Sequence, residues 1–134
     1  MKKHTFEKGL YVIGDPCYFI NDENWDKVLE DTNFFGCPMV NDKKPADWDE
    51  GLFHYKGKPC FAHATKYGDG EYRILGRGKS VAVDSGAIGV MPLLACDTLP
   101  ELSDLYEIIS FGKNFEVWED NGVFYIGKYV IDTN

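Results

Sequence analysis

The stretch Phe115-Glu116-Val117-Trp118-Glu119-Asp120-Asn121-Gly122-Val123-Phe124-Tyr125-Ile126-Gly127-Lys128-Tyr129-Val130 reads as a β-hairpin. Asn-Gly between two runs rich in β-branched and aromatic residues is a strong hairpin signal, because both central positions of a type I′ turn need positive φ. Strands are expected over Phe115–Glu119 and Val123–Val130. Toward the N-terminus the same pattern repeats. Tyr106–Phe111 and Ala87–Leu94 are strand-like, and Val81–Val83 follows a turn at Gly76-Arg77-Gly78-Lys79. Glu71–Leu75 follows the turn Lys66-Tyr67-Gly68-Asp69-Gly70, while Leu52–Tyr55 and Pro59–Thr65 flank Lys56-Gly57-Lys58 as another hairpin.

Helical signals are few. Asn21 offers an N-cap and Asp22 and Glu23 an acidic first turn, with Trp25, Val28 and Leu29 at helical spacing, which predicts one helix over about Glu23–Glu30. A second helical turn is expected over Leu99–Leu105, after Thr98. Between Asp31 and Gly51 the turn formers Gly36-Cys37-Pro38, Asn41-Asp42 and Pro45 predict a long loop. At the N-terminus, Gly9–Ile13 and Cys17–Ile20 read as one strand interrupted by Gly14-Asp15-Pro16, since Pro cannot donate to a ladder. Many short strands at near-regular spacing imply a mainly β (α+β) fold, a curved antiparallel sandwich or barrel-like sheet with one short N-terminal helix and a second helical turn. The 134 residues are expected to form a single β-rich domain over residues 1–134.

Composition narrows the partners. A hydrophobic fraction of 44% supplies an ordinary core, and a net charge of −8 argues against unspecific attraction to nucleic acid or an anionic membrane. The charge is unevenly distributed. Residues 52–82 carry six cations against two acids, +4, flanked by acidic blocks on both sides. A mixed solvated surface is the ordinary explanation of such a run; the sharper one is an anion site on the middle hairpins around Arg77 and Lys79. The four cysteines form no C-x-x-C pair, and the polar start His4-Thr5-Phe6-Glu7-Lys8 is unlike a secretory leader. A cytoplasmic location with reduced thiols is expected, with no membrane span.

Two aspartate turns carry the chemistry-bearing pattern, Gly14-Asp15-Pro16-Cys17-Tyr18 and Val83-Asp84-Ser85-Gly86-Ala87-Ile88-Gly89. Asp84-Ser85-Gly86-Ala87 after an apolar strand is similar to the loop of aspartic proteases, whose chemistry needs two such carboxylates sharing a proton. This chain has one copy. Gly78-Lys79-Ser80 lacks the upstream glycine and the following helix of a phosphate-binding P-loop. Cys17 and Ser85 are candidate nucleophiles with His63 as a base, although an apolar environment favours a packed thiol at Cys17. Metal binding would draw on His54, His63, Asp69, Asp15, Asp84 and the cysteines, which show no recognised ligand spacing; no metal and no cofactor are assigned. Asp15 and Asp84 are also good turn formers in their own right. Together with Tyr18, and with Tyr67 and Asp69 of the glycine-rich turn, they are expected to converge on a polar pocket at one end of the scaffold.

Asp15-Pro16-Cys17-Tyr18 and Val83-Asp84-Ser85-Gly86 through Gly89, in this order, resemble a group of small phage and bacterial proteins for which no activity is established; Gly68-Asp69-Gly70-Glu71-Tyr72 is similar to a turn placed between those motifs. The resemblance runs from about Gly9 to Leu93. It implies a compact β-rich protein of phage or prophage origin in the host bacterial cytoplasm, and it carries over no catalytic residues.

The leading expectation is a non-enzymatic binding or interaction protein, a phage accessory factor that modulates a host protein or sequesters a small anionic ligand. The ligand-binding candidates are Asp15, Tyr18, Tyr67, Asp69, Arg77, Lys79, Asp84 and Ser85. The alternatives are a hydrolase centred on Asp84, with Asp15 or His63 assisting, and an acidic DNA mimic resting on net charge alone.

Overall fold

The structure, a computed structural model, describes residues 2–36 and 45–134. The chain runs through β1 (His4–Phe6), β2 (Gly9–Gly14), a 3₁₀ turn at Pro16–Tyr18, helix α1 (Asp22–Asp31) and the short α2 (Asn33–Gly36). Strands β3 (Leu52–Tyr55), β4 (Lys58–Ala64), β5 (Gly70–Leu75), β6 (Lys79–Val83) and β7 (Ala87–Pro92) follow, then a 3₁₀ turn at Leu93–Ala95. The C-terminal part holds β8 (Glu107–Phe111), β9 (Phe115–Asp120), β10 (Val123–Ile126) and β11 (Tyr129–Asp132). Every strand pairing is antiparallel.

The expected hairpins form with the turn chemistry read from the residues. Asn121 and Gly122, at φ +51° and +84°, join β9 to β10 with Asp120 opposite Val123. Lys56 and Gly57, at φ +53° and +73°, join β3 to β4 with Tyr55 opposite Lys58. Both positive φ values define type I′ geometry, whose twist matches that of the flanking strands.

These hairpins assemble into two open sheets, ordered β1-β9-β10-β11-β5-β6 and β3-β4-β7-β2-β8, so the architecture is a sandwich and not a closed barrel. Between the sheets lie Ile13, Phe61, Ile74, Val90, Phe124 and Ile126. The second sheet is covered on its other face as well: Val12, Ala62 and Met91, one residue out of phase with that set, pack with Trp25 and Val28 of α1 and with Phe35 and Phe53. The molecule therefore has three layers, sheet on sheet on helix. This explains why β7 reads as a continuous apolar run while β10 alternates, because only the first sheet turns a face to water. Fully burying one Phe or Ile is worth about 1.5–3 kcal/mol, so the two apolar layers outweigh any single polar contact.

Helix α1 begins one residue before its predicted start, with the Asn21 side chain accepting from the Asn24 N–H at 3.0 Å. Three expectations are corrected. Val123–Val130 is not one strand: Gly127, at φ +59°, turns the chain there, so that β10 and β11 pair as a further hairpin. Cys17–Ile20 is not a strand, because Asp15 caps a 3₁₀ turn at Pro16–Tyr18 and Pro16 is pre-set for a first helical turn. Residues 99–105 hold no helical turn: Pro100 restricts the backbone, and Leu99 and Leu102 project into solvent, leaving no apolar face to pack. The second helical element instead lies at Asn33–Gly36, where Asn33, Phe34 and Phe35 all adopt left-handed φ of +51° to +56°. The expected loop over Asp31–Gly51 is described only at its ends; the turns at Cys37-Pro38 and Asn41-Asp42 lie outside the described residues.

Candidate functional site

The two aspartate turns meet. Gly14 ends β2 opposite Gly89 of β7, and the chain then turns through Asp15 and Pro16 across the end of the second sheet. A Cβ on Gly89 would lie 2.7 Å from Pro16 Cγ and 3.2 Å from the Phe61 carbonyl oxygen, so glycine there makes room for the proline ring. The Asp15 side chain is carried inward and has no solvent exposure. Its Oδ1 accepts from the Cys17 N–H at 3.0 Å and the Ser85 hydroxyl at 2.5 Å, while Oδ2 accepts from the N–H groups of Asp84 and Ser85 at 2.8 and 2.6 Å.

Residues 84–86 leave β6 of the first sheet and enter β7 of the second. Asp15 thus clamps the crossover between the sheets. An ionised carboxylate offers about four lone-pair sites, and four donors occupy those of Asp15. Its oxygens are thereby engaged in holding the crossover. Asp84 is the carboxylate available to a ligand: it is exposed, and it accepts a hydrogen bond from the Tyr18 hydroxyl. Ser85 spends its hydroxyl proton on Asp15. Cys17 is half-buried, and burial, reinforced by the neighbouring Asp15 charge, pushes its thiol up to about 12, so it is a thiol and not a thiolate nucleophile at neutral pH.

The remaining candidates fall elsewhere. His63 lies on β4, where its Nδ1 is 2.9 Å from the Ala64 carbonyl oxygen and 3.5 Å from Glu119 Oε2, and its ring packs against Trp48 and Phe124. It serves the interior between the sheets. Tyr67 and Asp69 sit exposed on the β4–β5 turn, which meets the aspartate crossover twice: the Thr65 N–H donates to the Gly86 carbonyl at 2.9 Å, and Gly70, which follows Asp69, pairs with Val83, which precedes Asp84. Arg77 and Lys79 belong to the opposite end of β6 from Asp84, roughly 16 Å along the strand at about 3.3 Å per residue. Arg77 is already engaged, its Nε donating to Glu107 at 2.9 Å and Nη2 to the Ile108 carbonyl at 3.3 Å. The residues bonded to one another are Asp15, Tyr18, Asp84 and Ser85, with Asp69 beside them on the neighbouring turn. Among the described residues no group of three or more His, Cys, Asp or Glu is placed to hold a metal ion, and no helix is long and apolar enough to cross a membrane.

Three features carried no local sequence signal. The side chain of Asp97 is 9% exposed and accepts from the Asn21 N–H at 2.8 Å, Asn24 Nδ2 at 3.2 Å, the Tyr55 hydroxyl at 2.8 Å and Lys56 Nζ at 2.8 Å. Burial alone would raise its pKa, but these donors outweigh it and hold the group down at about 2. The second is a groove of about 470 Å³ between the β8–β9 and β10–β11 turns. The third is a row of exposed leucines after β7: Leu94 is 80%, Leu99 68%, Leu102 96% and Leu105 42% exposed. Each is assembled by tertiary contact or exposed by the lack of one, which local patterning does not record. No protein-family model, curated protein or solved structure matches this chain.

Proposed function

We propose that this is a non-enzymatic interaction protein that engages a host protein through the leucine-bearing segment after β7, acting in the host bacterial cytoplasm as a phage or prophage accessory factor. The origin and location follow the motif resemblance. The observation that carries the interaction reading is the exposure of Leu94, Leu99, Leu102 and Leu105 within twelve residues, on a segment whose backbone is held. Four large apolar side chains this exposed and this close in sequence support an interaction surface, since extended exposed apolar patches mark such sites.

Both ends of the segment are fixed. The Asp97 N–H donates to the Phe19 carbonyl at 2.9 Å, and the Asp97 side chain is tied to α1 and to the β3–β4 hairpin. At the other end the Leu105 carbonyl accepts from the Ala82 N–H at 2.8 Å, and the Glu101 N–H donates to the Tyr106 hydroxyl at 3.2 Å. Such pinning lowers the entropy lost on association. Glu101 and Asp104 alternate with the leucines, so the fitting partner presents an apolar cleft with a cationic rim.

The test is a photo-crosslinker at position 102 in host lysate, followed by titration of the captured protein against wild type and Leu99→Asp/Leu102→Asp. Loss of binding of at least about tenfold, with an unchanged melting temperature, is expected, since truncated hot spots cost more than about 1 kcal/mol each. Equal binding by the double variant defeats the reading.

A further inference from the structure

We propose that the groove between the β8–β9 and β10–β11 turns is a binding site for a small amphipathic anion, a flat apolar body bearing one sulfonate, carboxylate or phosphate. It lies apart from the leucine segment and does not depend on that reading. Its wall is aromatic. Phe111 and Phe115 stack with ring centroids 3.7 Å apart and planes at 11°, and Tyr129 meets Phe111 edge-on at 6.3 Å. Gly127 turns the β10–β11 corner at φ +59°, and a Cβ there would come 3.2 Å from Phe111 Cε1, so its lack of a side chain keeps that corner clear of the ring. At about 470 Å³ the space suits a ligand of a few fused or linked rings, within the roughly 300–1,000 Å³ usual for small-molecule sites.

The charge around the groove opposes that of the whole chain. Lys113 and Lys128 line it, both exposed. Arg77 and Lys128 both lie near the Tyr129 ring, at 6.0 and 5.4 Å from its centroid, and Arg77 is paired with Glu107. Glu116 points to the opposite face of β9 from Phe115. In a protein of net charge −8, two lysines on the lip of an aromatic groove favour an anionic ligand, and the aromatic wall favours one with a planar body.

The probe is 8-anilinonaphthalene-1-sulfonate, titrated against the folded protein by fluorescence, with uncharged N-phenyl-1-naphthylamine as the comparison. Saturable one-to-one binding is expected, with the sulfonate preferred over the neutral amine. Amide shifts on binding should be confined to the β8–β9 and β10–β11 turns. Lys113→Gln/Lys128→Gln should weaken the sulfonate roughly tenfold, the order expected of two partly exposed charge pairs, and leave the neutral analogue unchanged. Because both lysines are exposed, circular dichroism and melting temperature should match wild type. No saturable signal, equal binding of the two probes, equal binding by the double variant, or shifts mapping to another surface would each overturn the assignment. The leucine segment is reported separately by the Leu99→Asp/Leu102→Asp variant.

Discussion

Replacing Asp15 by alanine would remove the buried acceptor shared by three part-buried backbone N–H groups and the Ser85 hydroxyl, whereas replacing Asp84 by asparagine alters a surface group held by one phenol. A buried donor left without its acceptor costs about 1–3 kcal/mol, so Asp15→Ala should lose at least about 3 kcal/mol in urea unfolding. Asp84→Asn should stay within about 0.5 kcal/mol of wild type, as surface changes do. The two residues look alike in the sequence, each an aspartate in a tight turn beside an apolar run. What separates them is a contact across seventy positions, Asp15 to Ser85, which local pattern cannot record. The same holds for Asp97: nothing around Cys96-Asp97-Thr98 announces a carboxylate with four partners.

Elements whose cause is local were legible. Asn121-Gly122 and Lys56-Gly57 dictate their turns by backbone conformation alone, and Asn21 with its acidic followers sets the start of α1. Elements whose cause is tertiary were not. The segment Cys17–Ile20 has the composition of a strand, yet Asp15 and Pro16 curl its beginning into a 3₁₀ turn so that Phe19 and Ile20 can enter the layer beneath α1. The fit of that turn on β7 depends on Gly89. Gly89→Ala should therefore cost about 1–3 kcal/mol, the range for overpacking, because the proline ring and a carbonyl of β4 both bar the new methyl and neither is a flexible chain end. A melting temperature equal to wild type would show that the turn can slide off the strand without penalty.

At the scale of the whole molecule, Asp97 joins the parts that no single strand connects, the start of α1, the β3–β4 hairpin and the segment after β7. Its carboxyl is held at about 2 when folded against an ordinary 3.8, so the folded form binds fewer protons than the unfolded chain between those values. The resulting stability, about 2 kcal/mol, is fully present above roughly pH 4 and drains away as pH falls toward 2. Asp97→Asn should be less stable than wild type at pH 7 and converge with it near pH 2, which urea midpoints across that range would read; a gap that stays constant would refute the linkage.

The order β3-β4-β7-β2-β8 also sets a timetable for synthesis. β2 has Met91 opposite Val12 on one side and Ile109 opposite Tyr11 on the other, and β1 pairs with β9. The ribosome therefore makes the run Leu10-Tyr11-Val12-Ile13 long before either of its neighbours exists. From Gly14 to Pro92, the end of its first partner β7, is about 78 residues, roughly 4–16 s of elongation at about 5–20 residues per second. For that interval the nascent chain carries an unpaired, sticky β-strand at its leading end, a natural docking point for a ribosome-associated holdase and the place where overproduction would first drive the protein into inclusion bodies.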